Sequence, residues 1–200
     1  MPKIITLAHQ KGGVGKSTIV LNLANCFKDN VRVAVVDIDP QGTALQLKDR
    51  IDNVEIIPYD KKLKLLPYDV VFVDTPPYLS DLLPEVFSVS DLVIIPTKAG
   101  IADLLAIRST IALVKKAQEK NKALKAGVLF NMVKYGTTLT DEVAEQVQGF
   151  NVPILKAKIS DRVNFTRSVA LKDGIYGIGD SKAEKEIDQL AKEILLLINT

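Results

Sequence analysis

Three runs in this 200-residue chain are apolar at every position: Val33-Ala34-Val35-Val36, Val70-Val71-Phe72-Val73 and Val93-Ile94-Ile95. A strand with one wet face alternates apolar and polar residues, so an unbroken β-branched run needs cover on both faces, as a parallel strand between helical layers has. The candidate strands are Ile4 to Ala8, Val31 to Asp37, Val54 to Ile57, Val70 to Asp74, Leu92 to Thr97, Gly127 to Asn131 and a weaker run at Pro153 to Leu155. Between them Leu104, Ile107, Ile111 and Val114 recur at helical spacing, as do Ile187, Leu190, Ala191, Ile194 and Ile198 near the end. The pattern predicts an α/β fold, a doubly wound, mostly parallel sheet with helices on both faces. Without a repeat, low-complexity tract or Gly/Ser linker to mark a boundary, residues 1–200 read as a single domain.

Basic and acidic residues nearly balance, 26 against 24, for a formal charge of +2. No whole-molecule field therefore announces nucleic acid or membrane, and any basic surface must be local. Cys26 is the sole cysteine, which excludes an intrachain disulfide or a multi-thiolate iron–sulfur site in one subunit and fits a reducing cytoplasm. Met1 to Ala8 enters a strand pattern rather than a secretory signal, and no run nears the roughly 20 apolar residues that span a bilayer.

The richest local pattern is His9-Gln10-Lys11-Gly12-Gly13-Val14-Gly15-Lys16-Ser17-Thr18, ahead of a helix expected from Ser17 to Lys28. Glycines let successive N–H groups curl round an anion, and the helix N-terminus adds partial positive charge. Such a loop cradles phosphates, with Lys16 at the terminal phosphates, the Ser17 hydroxyl on Mg²⁺ and Thr18 by the α-phosphate. A Gly-Gly-x-Gly run alone is also an ordinary tight turn; the Lys-Ser pair, the strand before and the helix after select the cradle. Two more strands close on acids, in Val35-Val36-Asp37-Ile38-Asp39-Pro40-Gln41-Gly42 and Val71-Phe72-Val73-Asp74-Thr75-Pro76-Pro77. Ligands bind beyond the carboxyl ends of open parallel sheets, so Ala8, Asp37, Asp74, Thr97 and Asn131 are expected on one rim.

The strict pattern G-x-x-x-x-G-K-[ST] fails, because Gln10 stands where its first glycine belongs. With Lys11-Gly12-Gly13 there instead, the segment resembles the deviant Walker A motif of the ParA/MinD family, whose two switch segments are similar to D-x-D-P-Q-G and D-T-P-P here. The resemblance covers nearly the whole chain, closely to Pro77 and more loosely at Ile159 to Phe165 with Gly174 and Tyr176. It implies an ATPase of slow basal turnover that binds MgATP through Lys11, Gly12, Gly13, Val14, Gly15, Lys16, Ser17 and Thr18, with Asn131 at the adenine edge. The likeness of the two switch segments implies that Asp74 would hold Mg²⁺, directly or through water, with Asp37 as the second candidate, and that Asp39 would orient the attacking water. Lys11 would cross a two-fold interface to the other subunit's phosphates, so that a homodimer sandwiches ATP. The implied partners are nonspecific DNA, with nucleoid association in the ATP state, and a centromere-binding or adaptor protein that raises hydrolysis.

Two basic stretches bear on DNA: Lys115, Lys116, Lys120, Lys122, Lys125 and Lys134, and then Lys156, Lys158, Arg162, Arg167 and Lys172. Each also reads as a solvated lysine-rich face; the second is taken as the candidate DNA-binding set. The final segment, with Glu184, Glu186, Asp188 and Glu193, reads as a core-docked helix rather than a basic membrane helix, so no membrane partner is expected. With no helix-turn-helix ahead of the glycine-rich loop, specific operator binding is not expected either. A membrane-associated MinD-like positioning ATPase, and behind it a metabolic ATP-dependent ligase of the same superfamily, remain the alternatives.

Overall fold

Alternate residues of a strand face opposite helical layers, and that rule organises the core. The computed structural model describes residues 1–39, 42, 44–51, 54–134 and 139–199, with the side chains of 49, 50, 101 and 139–141 excepted. Its strands are β1 (Lys3–Leu7), β2 (Val33–Asp37), β3 (Glu55–Pro58), β4 (Val70–Asp74), β5 (Leu92–Thr97), β6 (Lys125–Val133) and β7 (Ile154–Ser160). The helices are α1 (Lys16–Phe27), α2 (Leu83–Val89), α3 (Ile101–Lys120), α4 (Leu139–Gln148), α5 (Val163–Ser168) and α6 (Ser181–Asn199). The strands form one sheet in the order β3-β2-β4-β1-β5-β6-β7, with every described pairing parallel.

Ile5, Leu7, Val35, Phe72 and Ile94 face α1, α5 and α6, whose Ile19, Leu23, Phe165, Ile187, Leu190 and Ile194 complete that layer. Ile4, Val36, Val71, Val73, Val93 and Ile95 face α2, α3 and α4 with Phe87, Leu104, Ile107, Val114 and Val147. Each large side chain fully buried this way contributes roughly 1.5–3 kcal/mol relative to exposure, which is why the all-apolar runs lie in the inner strands.

The expected bounds of β4 and β5 match the structure, while β6 and β7 run longer. β6 starts at Lys125 and continues past Asn131, and β7 continues to Ser160 with Leu155, Ala157 and Ile159 turned inward between exposed Lys156 and Lys158. As the sheet edge, β7 has amides needing partners, and α6 supplies them. The Glu193 carboxylate accepts from Lys156 N and Ala157 N, both at 2.8 Å, and the Glu186 carboxylate accepts from Ser160 N at 2.8 Å. Two of the acids that argue against a membrane helix, Glu186 and Glu193, thus hold α6 on the sheet edge.

Candidate functional site

From central β1 the chain builds β2, β3 and β4 on one side and β5, β6 and β7 on the other. The crevice beyond the end of β1 is therefore the switch point at which an open α/β sheet takes a ligand. Ala8 N donates to Ile94 O at 3.0 Å and Thr75 Oγ1 donates to Leu7 O at 2.7 Å, locking the ends of β1, β4 and β5 together beneath the loop. Gly13 and Gly15 adopt φ of 69° and 86°. Gly15 is the N-cap of α1 and offers it no side-chain cap, so the first N–H groups of that helix lack intrahelical acceptors and face the crevice chemistry as anion donors. A Cβ at Gly15 would overlap the Asn131 amide. Beneath the loop, buried His9 accepts from Lys11 N through Nδ1 at 2.8 Å. Burial, followed by the charge of Lys16, holds its pKa down at about 4, leaving the ring neutral at pH 7.

The charged centre is nearly dry. Lys16 is 7% exposed; burial pushes its pKa down while Asp74 and Asp39 pull it back up. Asp74 is buried beside Asp37, its register partner on β2. Burial foremost, with Asp37 and Asp39 adding to it, pushes the Asp74 pKa up to about 7 against the opposing effects of a Ser17 hydrogen bond and Lys16. One oxygen, Asp74 Oδ1, makes no hydrogen bond among the described residues. Asp37 differs: its Oδ1 accepts from Asp39 N at 2.9 Å, and its Oδ2 from Ala44 N at 2.8 Å and Leu45 N at 3.1 Å. Asp37, the second acid expected near Mg²⁺, thus also shapes the loop after β2 through these three backbone donors. Asp39 is half-buried, and its carbonyl accepts from Gly42 N at 2.8 Å; Pro40 and Gln41 of the same segment lie outside the described residues.

The Ser17 hydroxyl and the spare Asp74 oxygen suit Mg²⁺, a hard cation that takes one or two protein oxygens and completes its shell with water and phosphate. Among the described residues no cluster of three His, Cys, Asp or Glu could hold a metal.

Asn131 was expected at a strand end; it sits inside β6, with Met132 after it at φ 54°. Its Nδ2 donates to Val14 O at 2.7 Å, tying the glycine-rich loop to the sheet. Behind it, Gly15, Thr18, Ile19, Asn131 and Phe165 line a cleft of about 40 Å³. That is room for a few waters, far below the several hundred Å³ of ligand pockets, so a purine base could enter only by opening it. A cavity of about 730 Å³ beside Arg32, Glu55 and Tyr68 lies at the opposite ends of β2 and β4, away from the glycine-rich loop.

The basic residues do not gather on one face. Lys158 is in register with Phe130, so Lys156 and Lys158 lie on the α3/α4 side of β7, whereas Arg167 lies on α5 across the sheet and Lys172 follows it. Arg162 is turned toward acids, with NH1 3.7 Å from Asp180 and Nε 3.6 Å from Glu186. Lys115, Lys116, Lys120, Lys122 and Lys125 are exposed at the end of α3 and the start of β6, the rim away from the loop; Lys134 stands at the other end of β6. Residue-by-residue reading also missed Asp103, which holds Lys11 Nζ at 2.7 Å. An acid in the first turn of a helix is ordinary, so nothing local marked it.

A model of the CobQ/CobB/MinD/ParA nucleotide binding domain matches residues 5–175. The maintenance of carboxysome distribution protein A of Halothiobacillus neapolitanus is 28% identical, over 96% of this chain and 95% of that one. The sporulation initiation inhibitor protein Soj of Bacillus subtilis is 29% identical, over 97% and 98%. Among solved structures, a plasmid partition protein from Borrelia burgdorferi bound to AMPPNP superposes with a TM-score of 0.78, at 23% identity, covering 98% of this chain and 99% of that one; at that identity it speaks to the fold.

Proposed function

The chain belongs to the CobQ/CobB/MinD/ParA nucleotide-binding family, and from that premise we propose that it is a ParA-like ATPase. It dimerises on MgATP, binds DNA nonspecifically, and hydrolyses ATP to ADP and phosphate under a partner protein's control to partition or position a cargo. The observation that carries this reading is the nearly dry Lys16 ammonium at the glycine-rich loop, set between the charges of Asp74 and Asp39. Relatives named for carboxysome distribution and for Soj, matched over nearly their full lengths, support a positioning role over a metabolic ligase.

In this reading the N–H groups of Gly12 to Ser17 and the Lys16 ammonium take the β- and γ-phosphates, with Thr18 nearest the α-phosphate. Bound Mg²⁺, held by Ser17 and Asp74, would supply further positive charge to the phosphate oxygens. Asp39 orients the attacking water, and Lys11 completes the site of the opposite protomer, adding charge where the transferred group needs it. Asn131 releases the loop to admit the base at the cleft beside Phe165. With Asp39 as the sole carboxylate offered to the water, unassisted turnover is slow.

Calorimetric titration with MgATP, followed by sedimentation, tests the assignment. Lys16→Ala is expected to lose nucleotide binding by at least about a hundredfold. Lys11→Ala keeps binding but loses the ATP dimer, and Asp39→Ala keeps the dimer and stops hydrolysis. Wild-type protein without magnesium-dependent affinity for ATP would sink the proposal. Retention on anionic liposomes rather than on random-sequence DNA would favour the MinD-like alternative; among the described residues no helix is long and apolar enough to cross a membrane.

A further inference from the structure

The ammonium that the proposed function assigns to another protomer's phosphates is already engaged within its own chain. Lys11 Nζ lies 2.7 Å from Asp103 Oδ1, with the lysine side chain 42% exposed and the aspartate 9%. Asp103 sits in the first turn of α3, three residues past the N-cap Gly100, where the helix dipole favours a carboxylate. A Cβ at position 100 would stand 2.8 Å from Asp103 Oδ2, so the glycine leaves the carboxylate its place. A second tie joins the loop to the same helix: Gln10 Nε2 donates to Ala106 O at 2.6 Å. The neutral ring of His9 fixes the Lys11 backbone from the other side.

We propose that Asp103 is a positioning residue for Lys11: it parks the ammonium in cis in the nucleotide-free protomer and yields it to the triphosphate of a second copy, thereby setting the protein concentration at which ATP drives dimerisation. This inference rests on the trans role of Lys11. A single carboxylate competes poorly with a γ-phosphate and well with the absence of one, so ADP leaves the latch shut. Release does not strand Asp103, because the N-terminus of α3 still favours its charge, and half-exposed Lys11 makes the pair weak enough to reopen. An acid in this place therefore opposes premature pairing of subunits without blocking it.

The test is sedimentation of wild type, Asp103→Asn and Lys11→Ala with MgAMPPNP or MgADP. Two latches open per dimer, and Asp103→Asn is expected to tighten the AMPPNP dimer about tenfold, equivalent to ~1.4 kcal/mol for the two, while remaining monomeric in ADP. A variant that dimerises at the same or a higher concentration than wild type overturns the latch. A second readout needs no substitution, because His9 is the only histidine in the chain and feels the charges of both Lys11 and Asp103. Its ring NMR signals are expected to move further with AMPPNP than with ADP, whose β-phosphate reaches Lys16 but leaves the latch shut; identical spectra in the two nucleotides overturn the proposal. If Lys11→Ala dimerises normally on AMPPNP, the trans-lysine reading fails instead. A monomeric Lys11→Ala beside an unchanged Asp103→Asn removes the latch alone.

Discussion

At the scale of single residues, the centre of the site is electrostatically unfavourable to the empty protein. The Asp74 carboxyl, raised from 3.8 to about 7 chiefly by burial, binds its proton more tightly in the folded chain than in the unfolded one. Folding stability from this group is therefore full below pH 4 and declines as pH rises to about 7. His9 works the other way: lowered from 6.5 to about 4, it favours the fold above pH 6.5 and loses that contribution as pH falls to 4. The two slopes oppose one another in the wild type. Asp74→Asn removes the falling slope, so the nucleotide-free variant is expected to melt higher than wild type at pH 7.5 and to show an uncovered rise in stability between pH 4 and 6.5. It is expected to lose magnesium-dependent ATP hydrolysis at the same time, since the spare Oδ1 is gone as an anionic ligand. Thermal melts across that pH range check the sign; a lower melting point for Asp74→Asn at pH 7.5 contradicts the argument.

At the scale of elements, legibility followed the distance over which a residue finds its partner. β4 and β5 were readable because burial on both faces leaves an unbroken apolar run. The glycine-rich loop was readable because its parts are contiguous from His9 to Thr18. The length of β7 was not: Lys156 and Lys158 break its apolar run, and its edge amides are satisfied by Glu193, more than thirty residues away. Likewise Asn131 could be placed near the loop, but its Val14 carbonyl partner lies 117 residues off, and Asp103 stands 92 residues from Lys11. The edge contact can be weighed directly. Glu193→Ala leaves two amides to solvent at an exposed edge, so the cost is expected at the low end of about 1–3 kcal/mol, or roughly 2–4 °C in Tm per kcal/mol. Hydrogen exchange should quicken at Lys156 and Ala157 while β4 stays protected; equal acceleration in both would mean that α6 does not secure this edge locally.

At the scale of the whole molecule, a formal charge of +2 gives no general attraction to DNA, so the DNA affinity proposed for an ATP dimer would have to come from doubled local contacts. The candidate residues differ in what they can offer. Arg162 is held between Asp180 and Glu186, and a guanidinium engaged with two carboxylates has little net charge left for a phosphate. Arg167 is exposed on α5, the helix whose Phe165 and Thr166 line the cleft beside the glycine-rich loop, so under the proposed function the nucleotide state would reach it through a short rigid element. On random-sequence duplex in AMPPNP, Arg167→Ala is expected to reduce the slope of log affinity against log salt by about 2, since each phosphate contact contributes ~0.9 and the dimer carries two copies. Arg162→Ala is expected to leave that slope unchanged and to lower the melting temperature instead, because it strips the counter-ion from Asp180 and Glu186. The reverse pattern, with the slope moved by Arg162 and not by Arg167, would show that the inner ion pairs open on the dimer and that Arg162 faces the DNA.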